Sequence, residues 1–416
     1  MKITNVSPQI YRARYVYPVD HPPIADGAIV IDNNIIQDVN TYALIKSSYS
    51  QYPTVDLGDT ILLPGFVNSH THLALSHMCG KAPFTGCFVD WVRRLVFLRQ
   101  TRETPLDKII NDAVQNSIAS GVTLVGDICF NHQTWPHLKK LPIRKTCFAE
   151  LFGHGYNLEI QKTYLNECIS STQTDPLLKL GISPHAPYSA GKPLYELAYQ
   201  YAHAHNLNIT THLAETVIEE TFLTNGDGAW VDYLKEIDRW HDDIIIPHTT
   251  PVDFFATMAR GGHPSLLAHV NYISDEDLNL LAKQRNVSVA YCPRTHHFFQ
   301  HKNHRFAEML ACGINVCIGT DSLASNSTLS ILDEIRFLHN RHKDFDQATL
   351  LQMATINGAK SLGFGKTVGT ITKGKAADLI AIPIHPTTLS PIEDLLTSIN
   401  QPTWTMINGV LVSVSD

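Results

Sequence analysis

Through the middle of the chain, short apolar runs alternate with longer stretches of helical period, while both ends carry short runs broken by turn residues. The runs at 62–68, 121–127, 145–150, 180–184, 208–212, 265–269, 287–292 and 315–320 read as eight strands, apolar along much of their length as strands buried on both faces are. Helical period fills the intervals, for example at 106–120, 193–205, 275–284 and 329–340. The longest interval, 216–264, predicts two helices and a loop. Eight alternating units predict an α/β fold, a closed (β/α)8 TIM-type barrel.

The ends differ. Runs at 9–17, 27–31 and 35–39, the last two joined at Asp32-Asn33-Asn34, show no helical period, and 369–371, 377–382 and 403–414 behave alike, with a turn at Asn408-Gly409. The organisation predicted is a small β-sandwich built from residues 1–58 and 368–416, with the barrel over 59–367.

Composition narrows the function classes. With 44% hydrophobic and 17% charged residues the chain is globular, and its net charge of −7 comes without a basic run for a nucleic-acid backbone. The partner implied is a small-molecule substrate, with no nucleic acid and no membrane; a homo-oligomer stays open. Eight cysteines lie scattered without a CxxC pair, and residues 1–10 lack a secretory pattern, so a cytoplasmic protein is expected. The 22 histidines outnumber the tyrosines and the phenylalanines, and several close apolar runs.

Those positions carry the chemistry. One run ends in His70-Thr71-His72, another in His212, another in His269 and the last in Asp321. In a barrel the C-terminal strand ends surround one mouth, and alternation sends residues i and i+2, here His70 and His72, to the same side. Taken singly, a histidine at a strand end is more often a hydrogen-bonded rim residue than a ligand; five such residues at successive strand ends are not easily produced by packing. Imidazole and carboxylate suit one divalent metal per chain, zinc first, with iron or nickel as alternatives. Such an ion can bring the pKa of water from roughly 15.7 to about 7, generating a hydrolytic nucleophile.

At this point the sequence resembles the metal-dependent amidohydrolase superfamily, through Pro64-Gly65-Phe66-Val67-Asn68-Ser69-His70-Thr71-His72, His212-Leu213-Ala214-Glu215, His269, Gly319-Thr320-Asp321-Ser322 and the C-terminal Lys373-Gly374-Lys375-Ala376-Ala377-Asp378-Leu379. The fourth strand ends in Ser183-Pro184-His185, without the lysine of binuclear members, and the His212/Glu215 spacing is similar to that of the mononuclear aminohydrolases. The resemblance implies His70, His72, His212 and Asp321 as metal ligands. It also implies Glu215 as proton shuttle, His269 as a catalytic group that holds the water, and Asp321 as a second catalytic carboxylate. His185, Glu150, Glu215 and Arg294 are the implied substrate contacts. Phe88-Val89-Asp90-Trp91 opens a helix whose aromatics are expected to pack, and His301 and His304 are expected in solvated loop.

The activity implied is hydrolytic deamination of an amino-substituted heteroaromatic, purine nucleoside-like ring, releasing ammonia. Cys292-Pro293-Arg294 and the segment 86–99 resemble most specifically the aminodeoxyfutalosine deaminases of menaquinone biosynthesis. S-adenosylhomocysteine/methylthioadenosine deaminases are similar less closely, since Gln100 stands where that group usually carries a glutamate. Guanine or triazine aminohydrolases or chlorohydrolases are alternatives on the same site. A catalytically inactive metal-binding assembly protein is the alternative from another class.

Overall fold

The computed structural model describes residues 8–153, 157–171, 175–241, 244–259 and 262–412. The strands, in chain order, are β1 (Gln9–Val16), β2 (Ile24–Asp32), β3 (Ile35–Thr41), β4 (Thr54–Asp56), β5 (Thr60–Pro64), β6 (Phe66–Thr71), β7 (Val122–Cys129) and β8 (Arg144–Leu151). They continue with β9 (Leu178–Pro184), β10 (Asn208–Leu213), β11 (Ser265–His269), β12 (Val287–Tyr291), β13 (Asn315–Ile318), β14 (Leu379–Pro383), β15 (Trp404–Ile407) and β16 (Val410–Leu411).

Strands β6 to β13 pair in sequence order, all parallel, and a bridge between Thr71 and Asp321 links the first strand to the turn after the last. The result is a nearly closed eight-stranded barrel. Polar contacts seal its seam: Asn68 Nδ2 donates to Thr320 Oγ1 at 2.8 Å, and the Thr320 N–H donates to Asn68 Oδ1 at 3.1 Å. The helices Leu106–Ala119, Lys192–His205, Asp275–Lys283 and Ile331–Arg341 bury their apolar faces outside it.

The strands of the two ends form a separate sheet, in the order β16-β15-β14-β5-β1-β2-β3 with β4 beside β1. The apolar run at 62–68, read as one strand, is two: β5 belongs to this sheet and β6 to the barrel. Gly65 is the joint. A side chain there would meet the Thr123 side chain at 2.1 Å, so only glycine lets β6 turn in beside β7. The two parts are also tied by a buried ion pair, in which Arg144 at the start of β8 donates to both carboxylate oxygens of Asp378 at 2.8 Å.

Three features depart from the sequence pattern. The β-rich ends carry helices, Tyr42–Ser48 and Pro391–Thr397, too short to show a period. Among its described residues the interval 216–264 holds three helices rather than two, Val217–Asn225, Ala229–Glu236 and Pro251–Met258, none longer than 9 residues. The run predicted at 403–414 ends within the described residues at Leu411, its last two positions lying outside them. Among the described residues no helix is long and apolar enough to cross a membrane.

Candidate active site

At the mouth of the barrel, β6, β10 and β11 and the turn after β13 bring His70, His72, His212, His269 and Asp321 together. His72 Nε2 lies 3.3 Å from His212 Nε2, and Asp321 Oδ1 lies 3.8 Å from His70 Nε2 and 3.5 Å from His72 Nε2. One donor atom each from His70, His212 and His269, and one each from His70, His72 and Asp321, lie within 4.8 Å of one another.

The donor set fits a cation. Both ring nitrogens of His70 and Nε2 of His269 are buried without a hydrogen-bond partner among the described residues, which costs free energy unless something fills the gap between them. Burial, reinforced by the neighbouring imidazoles, holds His70, His72 and His269 well below the ordinary histidine pKa, and burial lowers His212 to about 4. These rings are therefore neutral at pH 7, with lone pairs available, as metal ligation requires. The His212 ring is fixed by its Nδ1, which donates to the His185 carbonyl at 2.9 Å, a second contact typical of a ligating histidine. Burial raises Asp321 to about 7; a cation at its oxygen would reverse that.

The backbone is held unusually at this rim. Ala214, His269, Val270 and Asp321 have positive φ between 50° and 73°, a region non-glycine residues enter at a cost of about 1–3 kcal/mol each. Strain concentrated at three strand ends marks a place whose geometry is over-determined by its surroundings.

Glu215 is buried, 3.6 Å from His269 Nε2, and its carboxyl is pushed well above the usual carboxylate range by burial and by Asp321 and Glu219. Glu150 and His185 face each other at 4.0 Å on the next strand ends, and burial pushes Glu150 up to about 8. The His185 ring stacks on Phe152, centroids 4.5 Å apart. These residues line a cavity of about 770 Å³ that also reaches Trp91, Arg99, Tyr188 and Trp230. Trp91 packs against Phe299 and donates from its ring to the Ala82 carbonyl, and so serves as wall.

Two sequence expectations are corrected. Arg294 does not reach the cavity: its guanidinium bonds Asn326 and Ser327 and lies over Phe337, because the helix Pro293–Phe298 that begins beside it turns the side chain toward the loop after β13. His304 is not solvated; it stacks on Tyr291 at 3.9 Å and its Nε2 donates to the His269 carbonyl at 2.7 Å, while His301 bonds the Tyr272 hydroxyl.

Several site residues escape a reading of the sequence. Glu219 accepts from the backbone N–H groups of Ala214 and Glu215, and Asp127 accepts from the N–H of Leu73, just past His72. Arg99 lies in the last turn of a helix that the pattern marks only as packing. The one usable signal is that Glu219 falls four residues after Glu215, at the start of a helix capped by Thr216.

A model described as the amidohydrolase family matches residues 61–412. A 5-methylthioadenosine/S-adenosylhomocysteine deaminase of Thermodesulfovibrio yellowstonii is 26% identical, over 97% of this chain and 92% of that one. A protein of the same description from Halothermothrix orenii is 28% identical over 88% and 82%. Among solved structures, the aminofutalosine deaminase of Helicobacter pylori in complex with methylthio-coformycin aligns with a TM-score of 0.88 at 23% identity, covering 97% of this chain and all of that one. A zinc-bound adenosine deaminase of Xanthomonas campestris aligns at 0.78 and 22%, over 97% and 92%. At these identities the structural likeness is one of fold.

Proposed function

The chain belongs to the amidohydrolase family, and on that premise we propose that it hydrolyses the exocyclic amino group of a purine-like ring, replacing it with oxygen from water and releasing ammonia. The observation that carries this is Glu215: a buried carboxyl pushed well above the usual carboxylate range by burial, beside His269 and the cluster of neutral histidines, opening into a cavity of heteroaromatic size. Hydrolysis of an aminated ring needs a proton delivered to a ring nitrogen and another to the departing amine. Glu215 is placed to donate the first and, once ionised, to take a proton from water and pass it to the amine.

His70, His72, His212 and Asp321 would hold the divalent metal, with zinc the first choice for three nitrogens and one oxygen. When bound, such an ion brings the pKa of water from roughly 15.7 to about 7 and so supplies hydroxide at neutral pH. His269 presents Nε2 toward Glu215, oriented to hold water, and Asp321, fixed through Oδ2 by the Ser325 hydroxyl at 3.0 Å, is a second proton acceptor. His185 and Glu150 face the ring from the next two strand ends. The eight free cysteines support a reducing, cytoplasmic setting.

For the substrate, aminodeoxyfutalosine is the first candidate, making the enzyme one of menaquinone biosynthesis; Gln100 on the cavity wall supports it over the second. Methylthioadenosine and S-adenosylhomocysteine are the second, on the strength of the sequence relatives. Ammonia release from the zinc-loaded protein, measured in parallel on aminodeoxyfutalosine, methylthioadenosine, S-adenosylhomocysteine, adenosine, guanine and a triazine, tests the proposal. Release from a purine nucleoside supports it; silence across the panel with one metal per chain overturns it.

A further inference from the structure

At the end of β11 the chain turns abruptly. His269 and the β-branched Val270 both stand in the left-handed region, at φ 73° and 54°, a conformation that a side chain of valine's shape seldom enters. One side of that turn is fastened to the turn after β10: the Val270 N–H donates to the Leu213 carbonyl at 2.9 Å, the Asn271 N–H to the Ala214 carbonyl at 2.9 Å, and Asn271 Nδ2 to the Glu215 carbonyl at 3.1 Å. The backbones that carry His269 and Glu215 are thus knit together, and where one sits the other follows.

The other side is held from the loop that follows the helix Pro293–Phe298. His304 donates from Nε2 to the His269 carbonyl at 2.7 Å, and His301 Nδ1 lies 3.0 Å from the Tyr272 hydroxyl, so two histidines of one loop grip the turn at both its ends. A carbonyl only accepts, so the first bond requires the His304 proton on Nε2 and leaves Nδ1, buried and unpartnered among the described residues, without one. The His304 ring is itself fixed, stacked on Tyr291 with centroids 3.9 Å and planes 16° apart, and Tyr291 stacks in turn on Phe306. His304 is not among the residues that line the cavity, so what it does for the reaction passes through His269.

We propose that His304 is a positioning residue for the deamination: its N–H holds the strained turn at His269, so that the His269 ring and, through Asn271, the Glu215 backbone keep their places in the mouth. The proposal rests on the deaminase reading above. Without this bond a left-handed pair that only its surroundings maintain is free to relax. A catalytic group displaced by about 1 Å loses rate, whereas Trp91, Tyr188 and Trp230, the aromatic walls of the cavity, stand on other elements and keep their hold on the ring.

The test compares two variants of the zinc-loaded full-length protein. His304→Phe keeps the stack on Tyr291 and removes the donor, while His304→Gln offers an amide N–H in place of Nε2. On the best substrate of the ammonia panel, at matched metal content, His304→Phe is expected to lower kcat by about 10- to 100-fold with KM within about twofold of the wild type, and His304→Gln to restore kcat to within about threefold. A His304→Phe protein with wild-type kcat overturns the proposal, and so does a His304→Gln protein as slow as His304→Phe, which would make the packing of the ring, not its N–H, the thing that counts. Nuclear magnetic resonance of histidine-labelled protein reads the same bond without turnover. It should find His304 in the Nε2–H form, with the His269 ring signals displaced in His304→Phe and restored in His304→Gln. A wild-type His304 protonated on Nδ1 alone overturns the proposal even if neither variant folds. Ammonia release at the wild-type rate from His304→Phe sinks the role of His304 and leaves the deaminase standing. Silence of the wild type across the panel, with the His269 signals still dependent on His304, does the reverse.

Discussion

The Glu219 carboxylate holds Glu215 from behind: one oxygen accepts from the Glu215 N–H at 2.8 Å and the other from the Ala214 N–H at 2.9 Å. Glu219 is itself fully buried at the start of a helix, so the strand-to-helix turn that carries Glu215 is pinned by a side chain that never meets the cavity. Ala214, left-handed at φ 50°, is the residue that most needs pinning.

Glu215→Gln keeps the shape and loses the exchangeable proton. It should lower kcat by about 10²- to 10⁴-fold while metal content stays at the wild-type level. Glu219→Gln loses one acceptor and should cost about tenfold in kcat with little change in KM. Steady-state kinetics with metal analysis on the same preparations separates the two; equal losses would mean that Glu215 acts only as structure.

Removal of metal should abolish ammonia release and lower the melting temperature. The buried, unpartnered nitrogens of His70 and His269 gain a partner only when an ion is present. At ligand a thousand times above Kd the ion adds about 4 kcal/mol of stability. Calorimetric melts before and after dialysis against a chelator, then with zinc restored, give the size; an unchanged melt would show that the cluster is stable without a cation.

The buried pair Arg144–Asp378 joins the barrel to the terminal sheet, each side chain 1% exposed. Arg144→Met strands a buried carboxylate and should cost about 3–5 kcal/mol, read as the shift of a urea midpoint at constant slope. A change below about 1 kcal/mol would mean that water replaces the arginine.

Glu150 sets a pH dependence of stability. Its folded pKa of about 8 lies above the ordinary glutamate value of 4.5, so between those values the folded state binds more protons and stability falls as pH rises. Glu150→Gln removes the titration. The variant should melt below or level with the wild type near pH 4.5 and gain on it steadily up to pH 8, by up to a few kcal/mol. Parallel melting profiles of the two proteins over that range would refute it.

Much of the mouth is visible in the sequence because strand ends announce themselves: an apolar run that stops at a histidine or aspartate, as at His212, His269 and Asp321, shows both where the strand finishes and what it presents. The supports are not visible, since their work depends on what folds against them. Nothing local says that Glu219 turns back to its own turn, that His304 reaches the His269 carbonyl, or that Arg99 points inward while Arg93 pairs at the surface. Arg294 misled for the same reason: a family-like neighbourhood sets its position, but Asn326 and Ser327, more than thirty residues on, decide where its side chain goes. The division at Gly65 is hidden inside a continuous apolar run, because both β5 and β6 are buried throughout.

Strand β14 pairs with β5 along its whole length, and β5 runs through Gly65 straight into the strand that bears His70. During synthesis, the segment leading into the first histidines has β1 beside it from the start but waits for nearly the entire chain to leave the ribosome before its second neighbour, β14, exists. Asp321, too, arrives some 250 positions after Thr71, to which it bridges. A nascent chain stalled before residue 379 would carry every one of the five mouth residues and lack one of the two strands between which β5 lies.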